Sequence, residues 1–300
     1  MAVTLDRLRV GSAPDSWGVW FPDDPQQVPW QRFLDEVAES GYEWIELGPY
    51  GYLPVDPDRL ADEVGRRGLR VSAGTVFTAL HRGPAVWEET WAHVRRVAGL
   101  TRAMGAGHVV VIPAFWRDDR TAREIEPPEL TAGQWRDLAA GMERLGRRLQ
   151  DEYGLRIVVH PHADTHIDTE EHVETFLDAT DPDLVGLCLD TGHYAYCGGD
   201  SVKLIETYGE RIEYLHLKQV DPRVLADVRA NGTPFGPAVR QGVMCEPPQG
   251  VPELEPVLSA AQKLGVDMFA IVEQDMYPCP PDAPMPIAAR TRRYLRGCGA

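Results

Sequence analysis

The chain has 300 residues, 43% of them hydrophobic and 25% charged, with a net charge of −16. That size and composition suit a soluble globular protein with an ample core, and α/β barrels reach this length as one domain. The acidic balance argues against nucleic acid or an anionic membrane as partner, because both call for a basic surface.

No apolar run approaches the ~18 residues of a membrane span. The start, Met1-Ala2-Val3-Thr4-Leu5-Asp6-Arg7, lacks the apolar core and cleavage site of a signal peptide, so a reducing cytoplasm is the expected setting. The five cysteines (Cys188, Cys197, Cys245, Cys279, Cys298) are scattered, odd in number and without CxxC spacing. They suggest neither a disulfide framework nor a zinc cluster.

Leu8-Arg9-Val10-Gly11 is the first predicted strand. The loop behind it holds Trp17 and Trp20, either of which would pack the mouth of the fold or wall a sugar-like ring. Residues 29–40 place Phe33, Leu34, Val37 and Ala38 on one side of a helix that Gly41 stops. Residues 44–48 form the second strand, with Glu46 facing either a pocket or an outward partner. A helix over 56–67 ends at Gly68, and 69–73 is the third strand. A long helix over 87–104 turns through Gly105-Ala106-Gly107 into the fourth strand, 108–112, with Trp116 and Arg117 beyond its end. Thr131 caps a helix reaching about Tyr153.

The second half repeats one design. The fifth strand ends in His160-Pro161-His162, and the sixth, 185–189, in Asp190-Thr191-Gly192-His193. The seventh ends in His216-Leu217-Lys218 and the eighth, 268–272, in Glu273-Gln274-Asp275. Helices are expected from about Thr169, from Gly198-Gly199-Asp200-Ser201, over 254–264 and over 287–295. Between the seventh strand and the next helix, 220–251 is the longest stretch without a pattern and carries Arg240 and Glu246. A loop of that length in a compact domain usually carries function or is mobile.

Eight strands alternating with eight helices, with no composition break, predict a single (β/α)8 TIM barrel domain over residues 1–300, with loop 220–251 over its C-terminal face. Active sites of such barrels lie at the C-terminal ends of the strands. Four of those ends present His160, Asp190, His216 and Glu273. One His at a strand rim is usually a hydrogen-bonded residue, and an Asp before Thr-Gly can cap a turn or the next helix. Four such ends together suit a divalent metal in a mixed N/O site: Mn2+ or Co2+ first, with Zn2+, Fe2+ and Mg2+ open. Such a site would stabilise the enolate formed by proton loss beside a ketone, leading to isomerisation, epimerisation or loss of water. No GxGxxG follows a strand, so no nicotinamide or flavin site is expected.

These strand-end motifs resemble those of the xylose isomerase-like barrels, the sugar phosphate isomerases and epimerases. Ala13-Pro14-Asp15-Ser16-Trp17-Gly18, His160-Pro161-His162 with Thr165 and Thr169, and Asp181-Pro182-Asp183-Leu184-Val185-Gly186-Leu187 resemble in particular the inosose (2-keto-myo-inositol) dehydratases. So do Leu189-Asp190-Thr191-Gly192-His193 and His216-Leu217-Lys218. The resemblance implies that Asp190, His216 and Glu273 are metal ligands. It places His160 where the superfamily usually has Glu, leaving open whether His160, His162 or a water completes the set. The epimerases use paired glutamates. A single Glu with a Lys or His favours elimination of water from a small polyhydroxy ketone, with an isomerase or 3-epimerase as the alternative.

Glu273, Lys218 and His193 are the catalytic candidates; His162, Trp17 and Trp116 at the strand ends are substrate-binding ones, as are Arg240 and Glu246 on the loop that similar enzymes close over substrate. Lys218 would orient a substrate oxygen, act as a base if its pKa is lowered, or sit at the surface. His193 and His162 would bind hydroxyls, supply a proton, or hold a ligand carboxylate. Two other classes remain: a trinuclear-zinc endonuclease, disfavoured by the acidic charge, and a binding barrel without chemistry. A homodimer is the expected assembly if the chain pairs.

Overall fold

The computed structural model describes residues 7–118 and 120–300. Eight parallel strands close into a barrel. In chain order they are β1 (Leu8–Ser12), β2 (Trp44–Glu46), β3 (Arg70–Thr78), β4 (His108–Pro113), β5 (Arg156–Val159), β6 (Val185–Asp190) and β7 (Ile212–Leu217). After two short strands, β8 (Gln219–Val220) and β9 (Met244–Cys245), the barrel is completed by β10 (Met268–Val272). Closure is made by β1 against β10, in register from Leu8 opposite Met268 to Ser12 opposite Val272.

Each barrel strand is followed by a helix that packs its apolar stripe onto the outside of the sheet. These are α1 (Trp30–Glu39), α2 (Pro57–Gly65), α3 (Trp87–Ala103), α4 (Ala132–Tyr153) and α5 (Glu170–Asp178), then α7 (Ser201–Tyr208), α10 (Leu254–Lys263) and α11 (Pro284–Gly297). Side chains cap the starts of α2, α4, α5 and α7, from Asp56, Thr131, Thr169 and Asp200. Thr131 and Gln134 form a reciprocal capping box on α4, and Gly154 ends that helix in the left-handed region. Alternate strand residues fill the barrel: Val110, Val158, Cys188, Tyr214 and Ile271 form an inner core separate from the larger shell under the helices. Cys188 is fully buried there, and burial pushes its thiol up to about 12, so it packs as a small apolar group. All five cysteines are unpaired. No helix among the described residues is long and apolar enough to cross a membrane.

Three differences from the sequence reading matter for the site. First, β3 runs to Thr78 rather than stopping at Ala73. The strand continues through Gly74, where a Cβ would meet Thr101 Oγ1 of α3 at 2.2 Å. Second, a short helix α6 (Thr191–Tyr196) follows β6 directly. Third, 220–251 is not an irregular loop. It holds α8 (Pro222–Asn231), α9 (Phe235–Arg240) and the antiparallel pair β8–β9. This segment has its own apolar core around Leu225, Val228, Ala238 and Val243.

Candidate metal centre and cavity

The C-terminal ends of the strands surround a cavity with an empty volume of about 750 Å³, part of it the open mouth. Its floor is polar and its walls are apolar, with Trp20, Phe77, Ile112, Phe115 and Phe235 among the lining residues. At the floor, ligand-type atoms of His160, Asp190, His216 and Glu273 lie within 4.8 Å of one another, all buried. The barrel register brings them together, since Asp190 on β6 pairs directly with His216 on β7.

Each side chain is aimed by its surroundings. Asp190 Oδ1 accepts the His193 backbone N–H at 2.7 Å, capping α6, while Oδ2 faces the cluster 3.3 Å from His160 Nε2. One carboxylate therefore serves both as helix cap and as candidate ligand. His216 Nε2 lies 2.9 Å from Glu46 Oε2, and Glu46 also accepts hydrogen bonds from the hydroxyls of Thr75 and Tyr214. A carboxylate behind an imidazole fixes its tautomer, leaving Nδ1 as the electron-pair donor. His216 Nδ1 lies 2.9 Å from Glu273 Oε2 but has no aligned hydrogen bond. A buried ring nitrogen without a partner, converging with two carboxylates and a second imidazole, suits a divalent cation in an N2O2 donor set.

Lys218 is the other organising group. It is 1% exposed, and its Nζ lies 2.8 Å from Asp275 Oδ2, 3.1 Å from Glu273 Oε2, 3.3 Å from Asp190 Oδ2 and 3.6 Å from Asp15 Oδ2. Its stem passes against α6 at Gly192, where a Cβ would meet Lys218 carbons at 2.5–2.9 Å. Glycine in the Thr-Gly-His motif therefore makes room for the lysine.

Electrostatics divide the carboxylates. Burial opposes charge on Asp190 and Glu273, yet Lys218, with His216 beside Glu273, holds both well below the usual range. Asp15 and Asp275 go the other way: burial raises them, and Glu273 adds to it, against the pull of Lys218. Two carboxylates held low beside two pushed up is the separation that acid–base chemistry uses. Burial works against charge on Lys218 too, but Asp190, Asp275 and Glu273 raise its pKa well above normal, so it is a fixed cation rather than a base. Burial, then the charges of His160 and Lys218, bring His162 down to about 3. Its Nδ1 lies 2.8 Å from the Ala163 carbonyl, so Nδ1 carries the proton and the neutral ring keeps an accepting Nε2. His193 stacks on His162 with ring centroids 3.6 Å apart, and its Nε2 lies 3.2 Å from Lys218 Nζ.

Four expected substrate contacts lie elsewhere. Trp17 is fully buried, with its indole N–H bonded to Glu36 at 2.8 Å and its ring edge-on to Phe33 at 5.1 Å. It is core, and Trp20 takes the wall position. Trp116 lies under its neighbour Arg117, whose guanidinium is 4.4 Å from the ring, and not on the cavity wall. Arg240 is exposed at the end of α9, and Glu246 is held by a two-pronged bond to Arg290 of α11 at 2.7 and 2.8 Å. The segment they belong to does reach the cavity, but through Phe235 at the start of α9, which faces His162 and His193.

The sequence reading gave no role to Asp15 or Asp275 and left Glu46 open. Asp275 carried a usable signal: it is two residues beyond Glu273, hence on the same side of an extended chain. Asp15 stood only inside a motif of the resemblance, because its role depends on β1 lying beside β10.

Comparison with known proteins agrees with this architecture. The model of the xylose isomerase-like TIM barrel family matches residues 34–298. An inosose dehydratase of Geobacillus kaustophilus (strain HTA426) is 31% identical over 286 residues, covering 93% of this chain and 91% of the relative. One from Lacticaseibacillus casei is 29% identical over 293 residues, covering 96% of both. Among solved structures, the IOLI protein with a binding zinc atom superposes with a TM-score of 0.72 at 18% identity, covering 96% of this chain and 98% of that one. The chain is an enzyme, and it belongs to the xylose isomerase-like TIM barrel family.

Proposed function

We propose that the enzyme is a metal-dependent hydro-lyase that removes water from a small polyhydroxy ketone of the 2-keto-myo-inositol type, through an enolate. The observation that carries this reading is the asymmetric floor of the cavity. The ligand cluster holds one Glu and two His, so it lacks the paired glutamates of a symmetrical proton exchange. Beside it stands a separate set, Asp15 and Asp275 around Lys218. The two relatives named inosose dehydratase support the same substrate class.

His160, Asp190, His216 and Glu273 would hold the ion, which when bound supplies a Lewis acid for the charge that develops on the ketone oxygen. The protein's own groups do the rest. Glu46 keeps His216 in the donating tautomer. Lys218, permanently charged, donates hydrogen bonds to substrate oxygen. His162 accepts from a substrate hydroxyl, and His193 supports it from behind. Two proton movements are needed. A carbon beside the carbonyl loses its proton to a carboxylate on the floor, for which Glu273 is placed; the enolate's electron pair then expels the β-hydroxyl, which leaves as water with a proton from an acid. Asp15, lining the cavity with a raised pKa, is placed for that donation. The aromatic walls pack the apolar face of a ring and exclude water.

The test is the fate of 2-keto-myo-inositol with Mn2+- or Co2+-loaded enzyme in D2O, followed by NMR. Loss of water to a diketone, abolished by chelator and by Glu273→Gln, is expected. Deuterium entering beside the carbonyl without loss of water would assign an epimerase instead.

A further inference from the structure

Outside the cavity, the connections after β3, β4 and β5 bring together a second cluster. His81 comes from the 3-10 turn Leu80–Arg82, Glu126 from the segment between β4 and α4, and His166 from the one between β5 and α5. Their ligand-type atoms lie within 4.8 Å of one another. None of the three lines the cavity.

Hydrogen bonding restricts what this cluster is. His166 Nδ1 lies 3.0 Å from the Pro128 carbonyl, which only accepts, so Nδ1 carries a proton. Nε2 of the same ring faces Glu126 Oε1 at 3.1 Å. His81 Nε2 lies 3.1 Å from that same oxygen without the alignment a hydrogen bond requires. The His81 ring is 1% exposed, and neither of its nitrogens makes an aligned hydrogen bond, Nε2 having only the 3.1 Å contact to Glu126. Glu126 is ionised: burial opposes it, but contacts from His166, Arg82 and His81 bring its carboxyl down to about 2. A neutral His166 would turn the Nε2 lone pair against a carboxylate, and a neutral His81 would leave buried nitrogens unsatisfied. A cation between the three removes the lone-pair repulsion and satisfies His81 Nε2.

We propose that His81 Nε2, His166 Nε2 and a Glu126 carboxylate oxygen form a second metal site, for a divalent ion of the Zn2+ type, which pins three barrel loops together. Two imidazoles and one carboxylate are an established zinc donor set. Arg82 lies 3.3 Å from each Glu126 oxygen and is half exposed, so it can keep Oε2 while Oε1 turns to the ion. The rival is a proton on His166 with no ion at all.

The experiment counts Zn2+ bound per chain by elemental mass spectrometry after equilibration at a buffered free Zn2+ concentration. The intact chain should hold two ions, His166→Gln and His81→Gln one each, and the Asp190→Asn/His216→Asn double variant one. In that double variant Zn2+ should also raise Tm, and adding His166→Gln should abolish both the ion and the rise. An intact chain holding a single ion, lost in the double variant and kept in His166→Gln, overturns the proposal. If the double variant does not fold, the drop from two ions to one in His166→Gln decides alone. An ion lost in His166→Gln but kept in the double variant would support this site and count against the one on the cavity floor.

Discussion

The two ends of the barrel treat charge in opposite ways. At the N-terminal end, Arg9 pairs with Asp267 at 3.3 Å and Arg70 with Glu43 at 2.9 Å, with every side chain about half exposed or more. Asp267 also takes Arg7 at 3.5 Å, and water screens these exposed pairs. At the C-terminal end, Asp190, Glu273, Asp275 and Asp15 crowd round one buried Lys218. Such a cluster costs stability, because desolvation is large and like charges oppose each other. A fold that keeps it only at the strand ends is spending stability on chemistry, as barrel architecture leads one to expect.

The largest break in this contrast is Lys218→Met. It removes the ammonium that four carboxylates surround while conserving volume. In chelator-treated protein we expect a loss of about 3–5 kcal/mol in urea unfolding, the range for breaking a buried ion pair. Added Mn2+ should restore part of it, since the ion takes over the countercharge. A loss under ~1 kcal/mol with chelator present would mean the carboxylates are already neutral, and the charged-floor account would fail.

Asp15→Asn separates acid–base work from metal holding. Asp15 lies 3.6 Å from Lys218 Nζ and outside the four-residue cluster. We expect kcat on 2-keto-myo-inositol to fall ~10²–10⁴-fold, the usual contribution of a positioned acid, with bound metal unchanged. Metal lost along with activity would assign Asp15 to the ligand set instead. Glu46→Gln is milder. It keeps the shape but weakens the hold on His216 Nε2, so metal affinity should drop ~10–100-fold, read by competition with a chelating dye. An unchanged affinity would show that Glu46 does not orient His216.

How much of this was legible in the sequence follows from the range over which each signal acts. Helix faces and caps are local, which is why Thr131 and the apolar stripe of α1 located their elements. The strand-end residues were readable because each stands at the end of its own apolar run. α8 was locally marked too, by Asp221 capping, Pro222 in the first turn and Gly232 beyond the end, but the length of the segment masked those marks. A helix cap was one reading open for Asp190, but α6 itself went unplaced because it starts at the very next residue after the strand. Trp17 and Trp20 lie three residues apart in one loop, and no local pattern says that Trp17 turns to Phe33 while Trp20 turns to the cavity. Asp15, Glu46 and Asp275 depend on β1, β2 and β10 meeting around Lys218 and His216, a convergence made only by closing the barrel.

The smallest expected effect lies at the opposite end, and it calibrates the others. Arg70→Gln deletes the exposed pair with Glu43 and a guanidinium 4.1 Å from the Trp44 ring centroid. The first is worth ~0–1 kcal/mol and the second ~0.5–1 kcal/mol at an exposed site, so the total should stay below about 2 kcal/mol. It should shrink as salt is added, because only the ion pair and the cation–π contact are lost and both face solvent. Activity and metal content should be unchanged. If Arg70→Gln instead cost as much as Lys218→Met, the N-terminal charges would be as integral as the buried ones. The contrast between an end built for stability and an end built for chemistry would then have to be abandoned.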